Sequence, residues 1–152
     1  MRRILIAIFL SVVGILQTGC FVCDNGHWNV VVTNNSDKDI YVLYKFENQK
    51  PYGPGLANLR YEEGALRCLI LVGDTNAYAV MDNHSCIESG MDYYGGGVLI
   101  FVYDVYAVDH SRPELLDQVP YETYCYTLQD LENFQWRLTY PDDMVGYESD
   151  SK

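Results

Sequence analysis

HWNVVVTNNSDKDIYVLYKF, residues 27–46, is the stretch that decides the fold class. His27–Thr33 is rich in β-branched residues, which suit the pleated, half-buried surface of a strand. Asn34–Asp39 (NNSDKD) concentrates side chains that bond nearby backbone and so favour a turn. Ile40–Phe46 (IYVLYKF) reads as a second strand. Two such runs joined by a polar turn predict an antiparallel hairpin, with Trp28, Val30 and Val32 on one face.

Downstream, Pro51, Gly53, Pro54 and Gly55 mark Glu47–Asn58 as a loop. Cys68–Val72 (CLILV) suits a short buried strand, Gly73–Thr75 a turn, and Asn76–Met81 a further strand. Residues 82–96 are the least regular, with a helical turn expected near Ser85–Ser89 and a loop at Asp92–Gly97 (DYYGGG). Val98–Val108 (VLIFVYDVYAV) is apolar on both faces except at Asp104, which predicts a long central strand. Pro113 opens a helical turn in HSRPELLDQ. Tyr121–Tyr126 reads as a strand. Thr127 begins TLQD, a capping box with Asp130 in place of Glu or Gln, and Leu128, Leu131 and Phe134 share the face of the helix that follows. Gln135–Tyr140 alternates Trp136, Leu138 and Tyr140 as a last strand ended by Pro141. About seven short strands with one or two short helices give an all-β domain, expected as a β-sandwich with Ig-like connections, although the Cys–Trp–Cys spacing of immunoglobulin domains is absent.

The amino terminus supplies an address. Arg2 and Arg3 precede a largely apolar run, Ile4–Leu16, and Thr18 and Gly19 precede Cys20. That is the layout of a secretory signal, with an apolar run too short to span a bilayer comfortably. The ending Leu16-Gln17-Thr18-Gly19-Cys20 resembles the lipobox of bacterial lipoproteins, departing from it at Gln17. The resemblance implies cleavage before Cys20, a diacylglyceryl group on its sulfur, and a membrane anchor of two or more acyl chains such as palmitate, which hold firmly where one binds marginally. The expected organisation is a signal peptide at 1–19, a tether at 20–26, a single domain at 27–141 and a flexible tail at 142–152.

Without residues 1–19, eight basic residues face 21 acidic ones, a net charge of −13. This disfavours nucleic acid, whose affinity rests on neutralising phosphates, and opposes docking on anionic head groups. Export permits disulfides, and Cys23, Cys68, Cys86 and Cys125 are the candidates. Four cysteines allow three pairings, and their spacing does not choose among them.

Two stretches resemble small cell-envelope lipoproteins of gut Bacteroidota. One is WNVVVTNNSDKDIYVLYKF. The other is VLIFVYDVYAV followed by TYCYTLQDLENFQWRLTYPD, in which Tyr126, Leu128, Asp130, Leu131, Trp136, Tyr140 and Pro141 fit the closing pattern of that group. The resemblance covers about two thirds of the mature chain and implies lineage and fold, with no activity and no functional residues to carry over. Surface display in that phylum resembles a rule of acidic residues just after the acylated cysteine. Here Phe21, Val22 and Cys23 come first, so a periplasm-facing or outer-membrane location stays open.

Catalytic and metal chemistry find little support. His84 and Cys86 are two residues apart without a nucleophile signature around them. Asp82, His84 and Cys86, or Asp109 and His110, lack the paired spacing of a zinc site, and Asp24-Asn25-Gly26 and Asp142-Asp143 lack a calcium loop. Gly95-Gly96-Gly97 lacks the strand before it and the helix after it that a phosphate cradle needs. No catalytic residue, metal ligand or cofactor is assigned. Tyrosine is the surplus, 14 in all, and an apolar plate with a polar tip suits contact surfaces. Tyr52, Tyr93 and Tyr94, expected in loops, are the candidate contact aromatics. The expectation is a lipid-anchored, non-catalytic binding or interaction module of the cell envelope, its partner an envelope protein or a glycan. A structural or stress-related lipoprotein without ligand, and a small envelope hydrolase, are the alternatives.

Overall fold

The computed structural model describes residues 26–50, 68–81 and 86–144. The described residues form seven strands: β1 (Asn29–Asn34), β2 (Ile40–Phe46), β3 (Leu69–Ile70), β4 (Thr75–Met81), β5 (Val98–Asp104), β6 (Tyr121–Tyr126) and β7 (Arg137–Tyr140). Three short α-helices join them, α1 (Ile87–Tyr94), α2 (Val105–Asp109) and α3 (Leu128–Asn133), with a 3₁₀ helix at Pro113–Gln118. The architecture is all-β, in two sheets. One has the order β4-β1-β7, the other β3-β2-β5-β6. The second sheet is antiparallel throughout, whereas β1 runs antiparallel to β4 and parallel to β7.

The expected β1–β2 hairpin does not form. The two strands lie in different sheets, and NNSDKD carries the chain from one to the other. Asn34 explains the crossing. Its side chain is fully buried, donating from Nδ2 to the carbonyls of Lys38 (2.9 Å) and Ile70 (3.1 Å). Its Oδ1 accepts from the Ser36 N–H (3.0 Å) and hydroxyl (2.6 Å). The Gly73 N–H donates to the Asn34 carbonyl (2.8 Å), and the Asn35 N–H to the Tyr140 carbonyl (2.8 Å). One amide thus ties the end of β1 to the β2 turn and to β3. A buried polar group is tolerable only when its partners are supplied, and here the crossing supplies them.

With the strands separated, their apolar faces meet in one core. Val30 and Val32 of β1, Val80 of β4 and Leu138 and Tyr140 of β7 pack in the same cluster as Ile40, Val42 and Phe46 of β2, Val98, Ile100 and Val102 of β5, and Tyr124 and Tyr126 of β6. Trp28, expected to share the face of Val30 and Val32, precedes β1 and is 45 % exposed. The other face of the four-stranded sheet is covered too. Tyr41, Phe101 and Tyr103 pack there against Val108 of α2, Leu116 of the 3₁₀ helix and Val119. Burial on both faces is why β2 and β5 read as near-continuous apolar runs.

Other boundaries shift for local reasons. The long strand expected over Val98–Val108 stops at Asp104, whose Oδ1 accepts from the Ala107 N–H (3.3 Å) and caps α2. The lone carboxylate in an apolar run was a helix-start signal. The buried strand expected at Cys68–Val72 shortens to Leu69–Ile70, with Leu71 and Val72 exposed. The Thr127–Asp130 capping box forms as expected, with the Asp130 carboxylate accepting from both the Thr127 N–H (2.9 Å) and hydroxyl (2.6 Å). These bonds hold the Asp130 carboxyl below its ordinary range. Past β7, Met144 of the expected tail is buried in the main core, and the Asp143 carboxylate accepts from the Thr139 N–H (2.9 Å). Among the described residues, no helix is long and apolar enough to cross a membrane.

Candidate functional site

Helix α1 organises the region singled out by the aromatics. The expected helical turn near Ser85–Ser89 is an eight-residue helix, Ile87–Tyr94. Tyr93 and Tyr94 therefore stand on its last turn, not in a loop. The signal was present: Ile87, Gly90, Met91 and Tyr94 fall at helical spacing, and the first three are buried. The three glycines after Tyr94 hid it, because Gly95 (φ 73°) ends the helix, its N–H donating to the Met91 carbonyl (2.8 Å).

The aromatic side chains at this end form a ladder rooted in the core. Tyr44 meets Phe46 edge-on at 6.1 Å between centroids. Phe46 stacks on Tyr94 at 5.4 Å and 15°. Tyr94 meets Tyr93 edge-on at 4.9 Å. Phe46 is buried, while Tyr93 is 82 % exposed. The most exposed ring is thus held by a partner that is itself stacked on the core. Polar groups close the base: Asn48 Nδ2 donates to the Gly95 carbonyl (3.0 Å), and the Gly97 N–H donates to the Glu47 carboxylate (3.1 Å). Tyr52, the third candidate, lies outside the described residues.

The opposite end of α1 is fastened to the start of the domain. The His27 N–H donates to both carboxylate oxygens of Glu88 (3.0 Å each), and His27 Nδ1 lies 2.8 Å from Glu88 Oε1. The His27 ring stacks on Trp136 at 3.8 Å and 12°. The Ile87 N–H donates to the His27 carbonyl (2.8 Å). Trp136 reaches this position because Gln135 (φ 53°) and Trp136 (φ 60°) both take the left-handed conformation after α3.

The other nucleophile and ligand candidates occupy structural positions. Cys86 is disulfide-bonded, with its partner outside the described residues, so its sulfur is not a thiolate awaiting His84. Asp82 and His84 also lie outside the described residues, as do Cys23 and Asp24. Cys68 and Cys125 carry thiols. Burial pushes the Cys125 thiol up, and Glu47 and Asp130 add to it, which keeps the sulfur protonated and a poor nucleophile. Asp109 accepts from the Tyr41 hydroxyl (3.2 Å), while His110 Nδ1 turns to the Tyr106 carbonyl (2.9 Å), so these neighbours do not converge. Among the described residues no group of three or more His, Cys, Asp and Glu is placed to hold a metal ion.

One carboxylate cluster escaped the sequence reading. Glu122 of β6 accepts from the Tyr124 hydroxyl and, at 3.2 Å, from the Tyr140 hydroxyl. Burial first, then the Glu122 charge and its hydrogen bond, push Tyr140 up to about 12. Burial and the same carboxylate push Tyr124 higher still. Tyrosines held protonated beside an occupied carboxylate brace the junction between the sheets; this is not an acid–base pair poised near neutrality. Set against protein-family models, curated proteins and solved structures, the chain matches none of them.

Proposed function

We propose that this protein is a lipid-anchored module of the cell envelope that works by binding a partner, an envelope protein or a glycan, through the aromatic surface centred on Tyr93. The anchor rests on the signal layout and on Cys20. The binding role rests on one observation: an 82 %-exposed tyrosine whose ring is fixed by Tyr94, itself stacked on buried Phe46. A ring already held in place loses little conformational freedom on binding, so more of its contact energy is retained in the complex. The same reading treats the two sheets as a β-sandwich. The shared core and the repeated passage of the chain between sheets support it, and the parallel β1–β7 pair supports Ig-like connections.

The test is in-cell crosslinking with the anchored protein, wild type against Tyr93→Ala. Crosslinked partners that recur with the wild type should fall about tenfold with the variant, the effect of losing one contact of ~1.4 kcal/mol. The melting temperature should stay unchanged, because an exposed ring contributes little to folding. Recurrent adducts that ignore the substitution would rule out Tyr93 as the contact centre. Mass analysis of the mature amino terminus tests the anchor separately: Cys20 should carry the acyl mass.

A further inference from the structure

We infer that the disulfide of Cys86 is made with Cys23, so that the tether is clamped to the domain three residues after the lipid-bearing cysteine. The chain has five cysteines. Cys68 packs with the cluster on the outer face of the four-stranded sheet. Cys125 alternates with Tyr124 and Tyr126, which point into the main core, so it belongs to that same outer face. Cys86 opens α1, whose Ile87 and Met91 pack in the main core on the other side of the sheet. Sheet and core therefore separate Cys86 from both, leaving Cys20 and Cys23. His27 sits against the first turn of α1 through the Ile87 N–H and the Glu88 carboxylate. Four residues upstream of it, Cys23 is within ~14 Å of chain reach, and Cys20 within ~25 Å. Acylation of Cys20 takes its sulfur, which leaves Cys23; this step rests on the anchor proposed above.

The chemistry is thiol–disulfide exchange with a disulfide-bearing oxidant in the exported compartment. The Cys23 and Cys86 thiols lose two protons and two electrons as the S–S bond forms, and the oxidant's own disulfide is reduced to two thiols. Cys86 is 3 % exposed, so the finished bond is shielded from soluble reductants at that end. The mechanical consequence is a short leash. With the bond, Cys20 is joined to the domain by a segment of three residues, about 10 Å at full extension; without it, the free segment runs to His27 and reaches about 25 Å. The clamp holds the end of the domain that carries His27 and Glu88 near the membrane surface.

Peptide mapping of the purified full-length native protein, alkylated without reductant, tests this directly. The expected result is one crosslinked pair joining the Cys23 and Cys86 peptides, and lost on reduction. Alkylated Cys86, or Cys86 joined to Cys68 or Cys125, overturns the pairing. A Cys20–Cys86 pair overturns the pairing and the anchor together, whereas a Cys23–Cys86 pair with an unacylated Cys20 upholds the pairing and removes the anchor. A second measurement is thermal melting with and without reductant. The wild type should lose roughly 5–15 °C on reduction. Cys68→Ser should show the same loss and Cys23→Ser none; a reductant shift that persists in Cys23→Ser overturns the proposal.

Discussion

Replacing Asn34 with alanine takes a donor from the Lys38 and Ile70 carbonyls and an acceptor from Ser36, which unties the turn between β1 and β2, because one amide serves four bonds there. Each hydrogen bond lost costs roughly 0.5–1.5 kcal/mol net. Asn34→Ala should therefore lower unfolding free energy by about 2–3 kcal/mol, measured by urea denaturation. Gly90 shows a different constraint. A Cβ there would run into the Phe46 ring, inside the packed core. Alanine normally favours a helix over glycine by ~1 kcal/mol, so overpacking must outweigh that gain. Gly90→Ala should destabilise by about 1–3 kcal/mol, and adding Phe46→Leu should cost less in that background than in the wild type. If Gly90→Ala raises stability instead, the contact between α1 and β2 is looser than described. Neither effect could be read from the sequence. A polar Asn in a turn cluster is expected at the surface, and a glycine in an irregular stretch suggests only a bend.

At the scale of elements, α3 and its exit carry the clearest local encoding. Thr127 and Asp130 cap its start as TLQD predicts. Its end is a Schellman turn: the Gln135 N–H donates to the Glu132 carbonyl (3.0 Å) and the Trp136 N–H to the Leu131 carbonyl (2.8 Å). The position that usually holds glycine is Gln135, at φ 53°. A side chain in that conformation costs ~1 kcal/mol, part of which glycine returns as greater freedom in the unfolded chain. Gln135→Gly should raise the stability by about 0.5–1 kcal/mol without disturbing the His27–Trp136 stack, checked by chemical denaturation and by the tryptophan fluorescence spectrum. The strand pattern puts Trp136 inside a strand over Gln135–Tyr140, whereas β7 begins at Arg137; the left-handed pair before it is hidden because neither Gln nor Trp signals it. Asp104 was legible in principle, as a cap inside an apolar run. The strand signal around it is stronger, so the apolar run reads as one central strand through to Val108.

For the molecule as a whole, the Glu122 cluster couples β6 to β7 and makes stability sensitive to alkali. An unfolded tyrosine releases its proton near 10, whereas Tyr140 holds its own to about 12 through burial and the Glu122 charge. Between those values the folded state binds more protons than the unfolded, so stability falls as pH rises. The contribution is complete below pH 10 and is lost progressively as the pH passes through about 12. Tyr124 and Tyr126, raised in the same direction, prolong the loss. The urea midpoint should hold steady between pH 7 and 9 and decline from about pH 10. Glu122→Gln should make the decline shallower, because it removes the charge that opposes ionisation of Tyr140 and Tyr124. An equal decline in the variant would assign the effect to burial alone.

By itself the sequence determined where strands form. β2 and β6 match their expected bounds to the residue, β5 begins where expected, and the capping box and the Pro113 turn stand where local chemistry put them. These features arise from interactions within a few residues: β-branched side chains, a two-residue period, a hydroxyl facing a carboxylate. Tertiary structure alone decided which strands pair, that β1 leaves β2 for β4 and β7, and that Tyr93 stands on a helix braced by Phe46. A strand's alternation is the same whether its neighbour is the next segment or one a hundred residues away. Only the competition for buried N–H and C=O partners, settled here around Asn34, selects between them.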